Sequence, residues 1–237
     1  MRTVITIDID WVPDKVLEYT LELLSKAGVP CTIFATHATG LLNGLDRNQF
    51  EIGIHPNFNP LLNGSKKNNG NPEDVVRRLK EAFPQARGIR SHSSLVSNVL
   101  VELFSEMGFD YESNVCLPYS RRLETLPLWN DMLRIPFNWE DYLHFSYGKD
   151  FSEAGLDFNN GLNIMTFHPI HIFLNTETLE RYLGAKRFYQ DPEHLAGYRN
   201  PGKGAETLLQ KILDRKLEFT KMEDLVDEYR KGKITYE

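Results

Sequence analysis

Cysteine is nearly absent: two residues in 237, Cys31 in a strand-like run and Cys116 in a loop-like one. That excludes a disulfide framework and leaves two reduced thiols. An excess of basic charge is absent too. Lys and Arg number 27 against 33 Asp and Glu, a net charge of −6. The broad positive field of a general nucleic-acid or anionic-membrane partner is thereby excluded. No apolar run reaches the roughly 20 residues of a membrane-spanning helix, so no membrane span is expected. Nor does the chain open on a basic lead, a long apolar stretch or a small-residue cleavage pattern, and a cytoplasmic protein is expected. Internal repeats and low-complexity linkers are also missing. The hydrophobic fraction of 41% and charged fraction of 25% are those of an ordinary globular protein.

What is present is a rhythm of strand, helix and strand. Val4 to Trp11 is strand-like, and Pro13-Asp14 opens a helix whose Val16, Leu17, Leu21, Leu24 and Ala27 share one face. Proline suits the first helical turn because it lacks a backbone donor there, and Gly28 is placed to end the helix. Further strands are expected at 30–35, 50–55, 88–91, from 109, at 133–137, 162–167 and 217–220. Between them lie helices from Pro72, over 97–107 and 205–215, and a last one over 222–231. Residues 56–71, rich in Asn, Gly, Pro and Lys, read as a long loop. The fold class is α/β: one domain over 1–237, a distorted or incomplete β/α barrel of about seven parallel strands.

Chemistry gathers where these strands end. The first strand closes on Asp8 and Asp10, the run Glu51-Ile-Gly-Ile-His55 stops on His55, Gly88-Ile89 leads to Arg90, and Leu162 to Phe167 runs into His168. Carboxylates are seldom buried unless paired or metal-bound, and barrels of this class build their sites at the carboxyl ends of strands. Two carboxylates and a histidine are good ligands for a divalent metal of the zinc type. The second carboxylate, close to the metal but not bound to it, can take a proton from metal-bound water, a second histidine can protonate a leaving group, and an arginine can hold the base.

This arrangement resembles the polysaccharide deacetylase superfamily, carbohydrate esterase family four, over nearly the whole chain. Thr6-Ile7-Asp8-Ile9-Asp10 is similar to the family's Thr-Phe-Asp-Asp strand. His55-Pro-Asn-Phe-Asn59 is similar to its histidine strand with a second ligand four residues on. Gly88-Ile89-Arg90-Ser91-His92 and Thr166-Phe167-His168-Pro169 match its arginine and leaving-group histidine motifs, and Glu218 to Leu225 resembles its closing strand and helix. Three departures stand out. Ile9 separates the aspartates, placing both on one face of a straight strand; Asn59 stands where a second metal histidine is usual; and Ser91-His92 follow the arginine. They resemble a divergent branch linked to surface-polysaccharide biosynthesis rather than the secreted chitin and peptidoglycan enzymes.

The resemblance implies a metal-dependent hydrolase acting on carbon–nitrogen bonds other than peptide bonds. Metal-bound water would remove the N-acetyl group of an acetamido sugar or glycan, giving acetate and an amino sugar. It implies Zn2+ or a similar divalent ion on Asp10, His55 and Asn59, with Asp8 as base, Arg90 orienting it, and His168 as the acid. Trp11, Phe58, His92 and His171, beside these motifs, are assigned to substrate binding, whereas His37, His144 and His194 read as surface or structural. Pro201-Gly-Lys-Gly204 lacks the spacing of a phosphate loop and reads as a plain loop. Two alternatives stay open. Asp8-Ile9-Asp10 has the Asp-x-Asp form of sugar-nucleotide transferases, and Asn59 would suit a carbohydrate-binding relic that has lost its chemistry.

Overall fold

The computed structural model describes residues 2–62, 70–159 and 161–232. Its sheet has nine strands: β1 (Arg2–Asp8), β2 (Cys31–Ala35), β3 (Phe50–Ile54), β4 (Gly88–Ile89), β5 (Tyr111–Glu112), β6 (Leu126–Pro127), β7 (Leu133–Arg134), β8 (Trp139–Glu140) and β9 (Leu162–Phe167). They lie in the order β6-β7-β5-β4-β3-β2-β1-β9-β8. Every neighbouring pair is parallel except β6 with β7. Nine strands replace the seven or so expected because β6 and β8 are two-residue pieces, too short to show a period.

The strands expected at 133–137 and 217–220 are correspondingly shorter. The first is Leu133–Arg134 with a bridge from Cys116 to Phe137, and the second is a single bridge from Thr3 to Phe219. The expected long loop contains a helical turn, Asn59–Leu62; positions 63–69 of it lie outside the described residues.

The sheet is open, with β6 and β8 at its ends, and it curls into a half-barrel flanked by helices. Arg90, just after β4, shows the curl directly: its guanidinium reaches Thr6 of β1 and Thr166 of β9. Val4, Ile5 and Ile7 of β1 are all fully buried, as expected of a parallel strand covered on both faces. Ile5, Ile7 and Ile33 belong to the outer core, where the helix Asp14–Ala27 contributes Val16, Leu17, Leu21 and Leu24. That helix ends as its sequence implies, on Gly28 at φ 67°, whose N–H bonds to Leu24 and Ser25.

Val4, Phe34, Tyr111 and Ile164 fill the interior with Met222, Leu225 and Val226 of the helix Met222–Arg230. Two glycines make room there. A Cβ on Gly88 would sit 2.1 Å from the Tyr111 ring, and one on Gly53 would sit 2.8 Å from Phe34. Below them Glu51 accepts hydrogen bonds from Thr32 Oγ1 (2.7 Å), the Tyr111 hydroxyl (2.7 Å) and the Glu223 N–H (2.9 Å). Burial, with the Glu223 charge adding, pushes its carboxyl up to about 7 against those bonds. Cys31 and Cys116 are both free. No helix among the described residues is long and apolar enough to cross a membrane.

Candidate active site

The carboxyl ends of the strands surround a cavity of about 510 Å³ lined by Asp8, Asp10, His55, His92, His168 and His171 among others. Asp8 is the last residue of β1. Ile9 is fully buried and its N–H still bonds to Phe34 of β2. The chain then turns sharply, with Asp10 at φ 40° and Trp11 at φ 55°. Left-handed backbone at non-glycine residues costs about 1–3 kcal/mol each and persists only where the surroundings impose it. Here Thr36 Oγ1 accepts from the Trp11 N–H, and the Tyr189 hydroxyl donates to the Asp10 carbonyl at 2.6 Å. The turn keeps both carboxylates on the cavity side, as alternation along a straight strand would.

The two aspartates have different surroundings. Asp10 Oδ1 lies 3.3 Å from His55 Nε2 and 3.1 Å from His92 Nδ1. Burial opposes its ionisation, but bonding to His55 and His92, with His168 beside it, holds its carboxyl far below the usual range. Asp8 instead faces Arg90, whose Nη1 donates to Oδ1 at 3.0 Å. Arg90 is almost fully buried and each of its nitrogens donates. Nε bonds to the Ser113 carbonyl, Nη2 to Ser113 Oγ, and Nη1 also to Thr6 and Thr166. Phe34 and Phe137 flank the guanidinium at 4.3 and 4.7 Å.

On the other side of Asp10, His168 follows β9, with Nε2 3.8 Å from Asp10 Oδ2. Asp141 holds it twice: Oδ1 lies 2.7 Å from Nδ1, and Oδ2 accepts the backbone N–H at 2.7 Å. Burial alone would lower the His168 pKa. The Asp141 carboxylate outweighs it, and with Asp10 and Glu140 adding, the pKa rises well above the usual value. His171 is different. Burial depresses it to about 4, against Asp141, and its Nδ1 lies 3.2 Å from Thr176 Oγ1.

Asn59 is not among the cavity residues; its side-chain amide donates to Ser93 Oγ at 3.0 Å. His92, at the start of the short helical turn after β4, lies beside Asp10 and His55 instead. Phe58, expected to stack on a sugar, is 2% exposed and packs on Phe104 in the core. Trp11 stands outside the cavity lining, edge-on to His92.

The strand-end rule also applies to two residues that pattern reading passed over, Glu140 and Asp141 after Trp139. Their strand has two residues, so nothing in the sequence marked it as one. His144 is structural, bonded to Trp139, Tyr119 and the Asp150 carbonyl. Residues 201–204 form a plain loop, with Gly204 pressed against the Asn175 carbonyl.

One carboxylate and two imidazoles, Asp10, His55 and His92, bring ligand atoms within 4.8 Å of one another. This donor set suits zinc and its first-row neighbours and leaves positions free for a reactant. A second group, Asp141, His168 and His171, brings its ligand atoms equally close, within 4.8 Å. Both oxygens of Asp141 are already used by His168, so that group is an oriented imidazole rather than a metal cradle.

Residues 5–186 match the family model for WbmS-like polysaccharide deacetylases. A crystal structure from Bordetella bronchiseptica is similar at 36% identity, over 91% of this chain and 90% of that one, with a TM-score of 0.85. It is described as a polysaccharide deacetylase involved in O-antigen biosynthesis. A polysaccharide deacetylase structure from Mycobacterium smegmatis shares the fold at 17% identity, over 99% of this chain and 92% of that one, with a TM-score of 0.58. A family-four pseudoenzyme from Bacillus anthracis shares it at 14% identity, over 96% and 66%, with a TM-score of 0.50. No curated protein matches the chain.

Proposed function

Because the chain belongs to the WbmS-like polysaccharide deacetylase family, we propose that it removes the N-acetyl group of an acetamido sugar destined for a surface polysaccharide. The observation that carries this reading is the pair of oriented groups flanking Asp10. Arg90 fixes a buried carboxylate, Asp8, and Asp141 fixes a proton-bearing imidazole, His168. A binding module has no need of a base and an acid each locked by its own partner.

Asp10, His55 and His92 are the residues that would hold a divalent ion, of which Zn2+ suits the donor set. Such an ion polarises a carbonyl and makes water acidic enough to attack at neutral pH. Asp8 takes the proton of the attacking water, and its pairing with Arg90 keeps the carboxylate aimed at the cavity. His168 carries a proton because Asp141 stabilises its charged form, and it delivers that proton from Nε2 to the departing amine nitrogen. Acetate and an amino sugar result. With His92 beside His55, Asn59 no longer argues for a binding-only relic.

The test is to incubate the purified protein and a divalent metal with acetamido sugars, free, nucleotide-linked and polymeric. Acetate and new free amine are expected in equal amounts, falling at least about 100-fold in Asp8→Asn and in His168→Gln. Release from none of them, or undiminished release in both variants, would overturn the reading.

A further inference from the structure

Resting on the deacetylase reading, we propose that Glu140 is a substrate-binding residue, its carboxyl group accepting a hydrogen bond from the acetamido N–H or from a sugar hydroxyl beside it. Glu140 ends β8, in register with Thr166 of β9. Its neighbour Trp139 packs outward on Phe167, His144 and Phe151. Alternation along the strand turns Glu140 to the opposite face, and it lines the cavity with Asp8, Phe137 and His168.

No hydrogen bond or ion pair holds the Glu140 side chain among the described residues, although the cations that could serve are close. Each Arg90 nitrogen already donates, to Ser113, Thr6, Thr166 or Asp8. His168 Nδ1 is engaged by Asp141. Lys186 lines the same cavity with its ammonium 5.7 Å from the centre of the Tyr182 ring. Burial, with Asp141 and Asp8 adding to it and His168 and Arg90 opposing, raises the Glu140 carboxyl to about 7.

Glu140 is half-buried and lines the cavity; a substrate that covered it without offering a donor would leave its carboxyl desolvated and unpaired, which is costly. A substrate donor entering the cavity satisfies it. A site built around such a bond also rejects analogues that lack the donor, because the acceptor is then buried unpaired.

The experiment compares wild type, Glu140→Ala and Glu140→Met on the methyl glycosides of N-acetylglucosamine and N-acetylgalactosamine. Their mono-deoxy analogues and the O-acetyl analogue, which has no amide N–H, complete the set. For the parent sugar, Glu140→Ala is expected to lower kcat/KM by about 100-fold, mainly through KM. For one analogue, that missing the recognised donor, the variant and wild type should agree within about threefold. The deoxy arm identifies a hydroxyl and the O-acetyl arm the amide N–H.

An equal loss on every compound, or no loss on the parent, would overturn the role of Glu140. Should the alanine variant melt early, Glu140→Met gives the same comparison, with the side-chain length kept and no oxygen acceptor. If wild type turns over none of the sugars, the deacetylase reading fails. Calorimetric binding of the same compounds then decides Glu140 separately, and affinities unchanged by Glu140→Ala would end the proposal.

Discussion

Asp141 grips His168 at two points: one carboxylate oxygen lies 2.7 Å from the ring Nδ1 and the other accepts the backbone N–H at 2.7 Å. The ring can neither rotate nor exchange tautomer while both contacts hold, so Nε2 stays turned towards Asp10. The same carboxylate that orients the imidazole also stabilises its charged form.

Asp141→Asn should therefore cost activity more than structure. The amide oxygen can still accept one N–H, but the amide nitrogen cannot accept from Nδ1. A drop in kcat of about 10²–10⁴-fold is expected, with a thermal midpoint close to that of wild type. Steady-state kinetics beside a melting curve checks both, and an unchanged kcat would remove Asp141 from the mechanism.

Arg90 is predicted to matter for stability as well as chemistry. Arg90→Ala leaves Asp8 buried without its counter-charge, at a cost of about 3–5 kcal/mol, read from the urea midpoint. Arg90→Lys should recover little, because one ammonium cannot serve Ser113, Thr6, Thr166 and Asp8 together. Combining Arg90→Met with Asp8→Asn should restore much of the stability and none of the activity.

Glu51 supplies a pH prediction away from the cavity. Its folded carboxyl sits at about 7, against roughly 4.3 unfolded. Between those values the folded state binds more protons than the unfolded one, so Glu51 makes stability fall as pH rises through the window. The full loss is about 4 kcal/mol by pH 8. Glu51→Gln should flatten that part of the profile and gain relative to wild type at pH 8 over pH 5. Urea unfolding at the two pH values checks it, and parallel profiles would contradict it.

Much of this was readable in the chain. β-branched runs ending on Asp8, His55 and His168 located three strand ends, and the barrel rule brought them together. What pattern reading could not see were contacts made by folding. His92 and Asn59 lie in separate motifs, and only the path of the loop after β4 decides which faces Asp10. Glu140 and Asp141 were hidden because their strand has two residues and no period. Phe58 misled in the opposite sense, since sequence proximity to His55 says nothing about a side chain that turns into the core against Phe104.

The most direct measurement strips the protein with a chelator, adds Zn2+ in steps, and follows bound metal and acetate release together in wild type, His92→Ala and Asn59→Ala. One ion per chain should restore wild type and Asn59→Ala alike. His92→Ala should bind the ion more weakly by more than the roughly 10–100-fold that loss of an outer-shell partner costs, and should stay inactive at one equivalent. Full activity in the stripped protein, or metal binding lost in Asn59→Ala and kept in His92→Ala, would contradict the account.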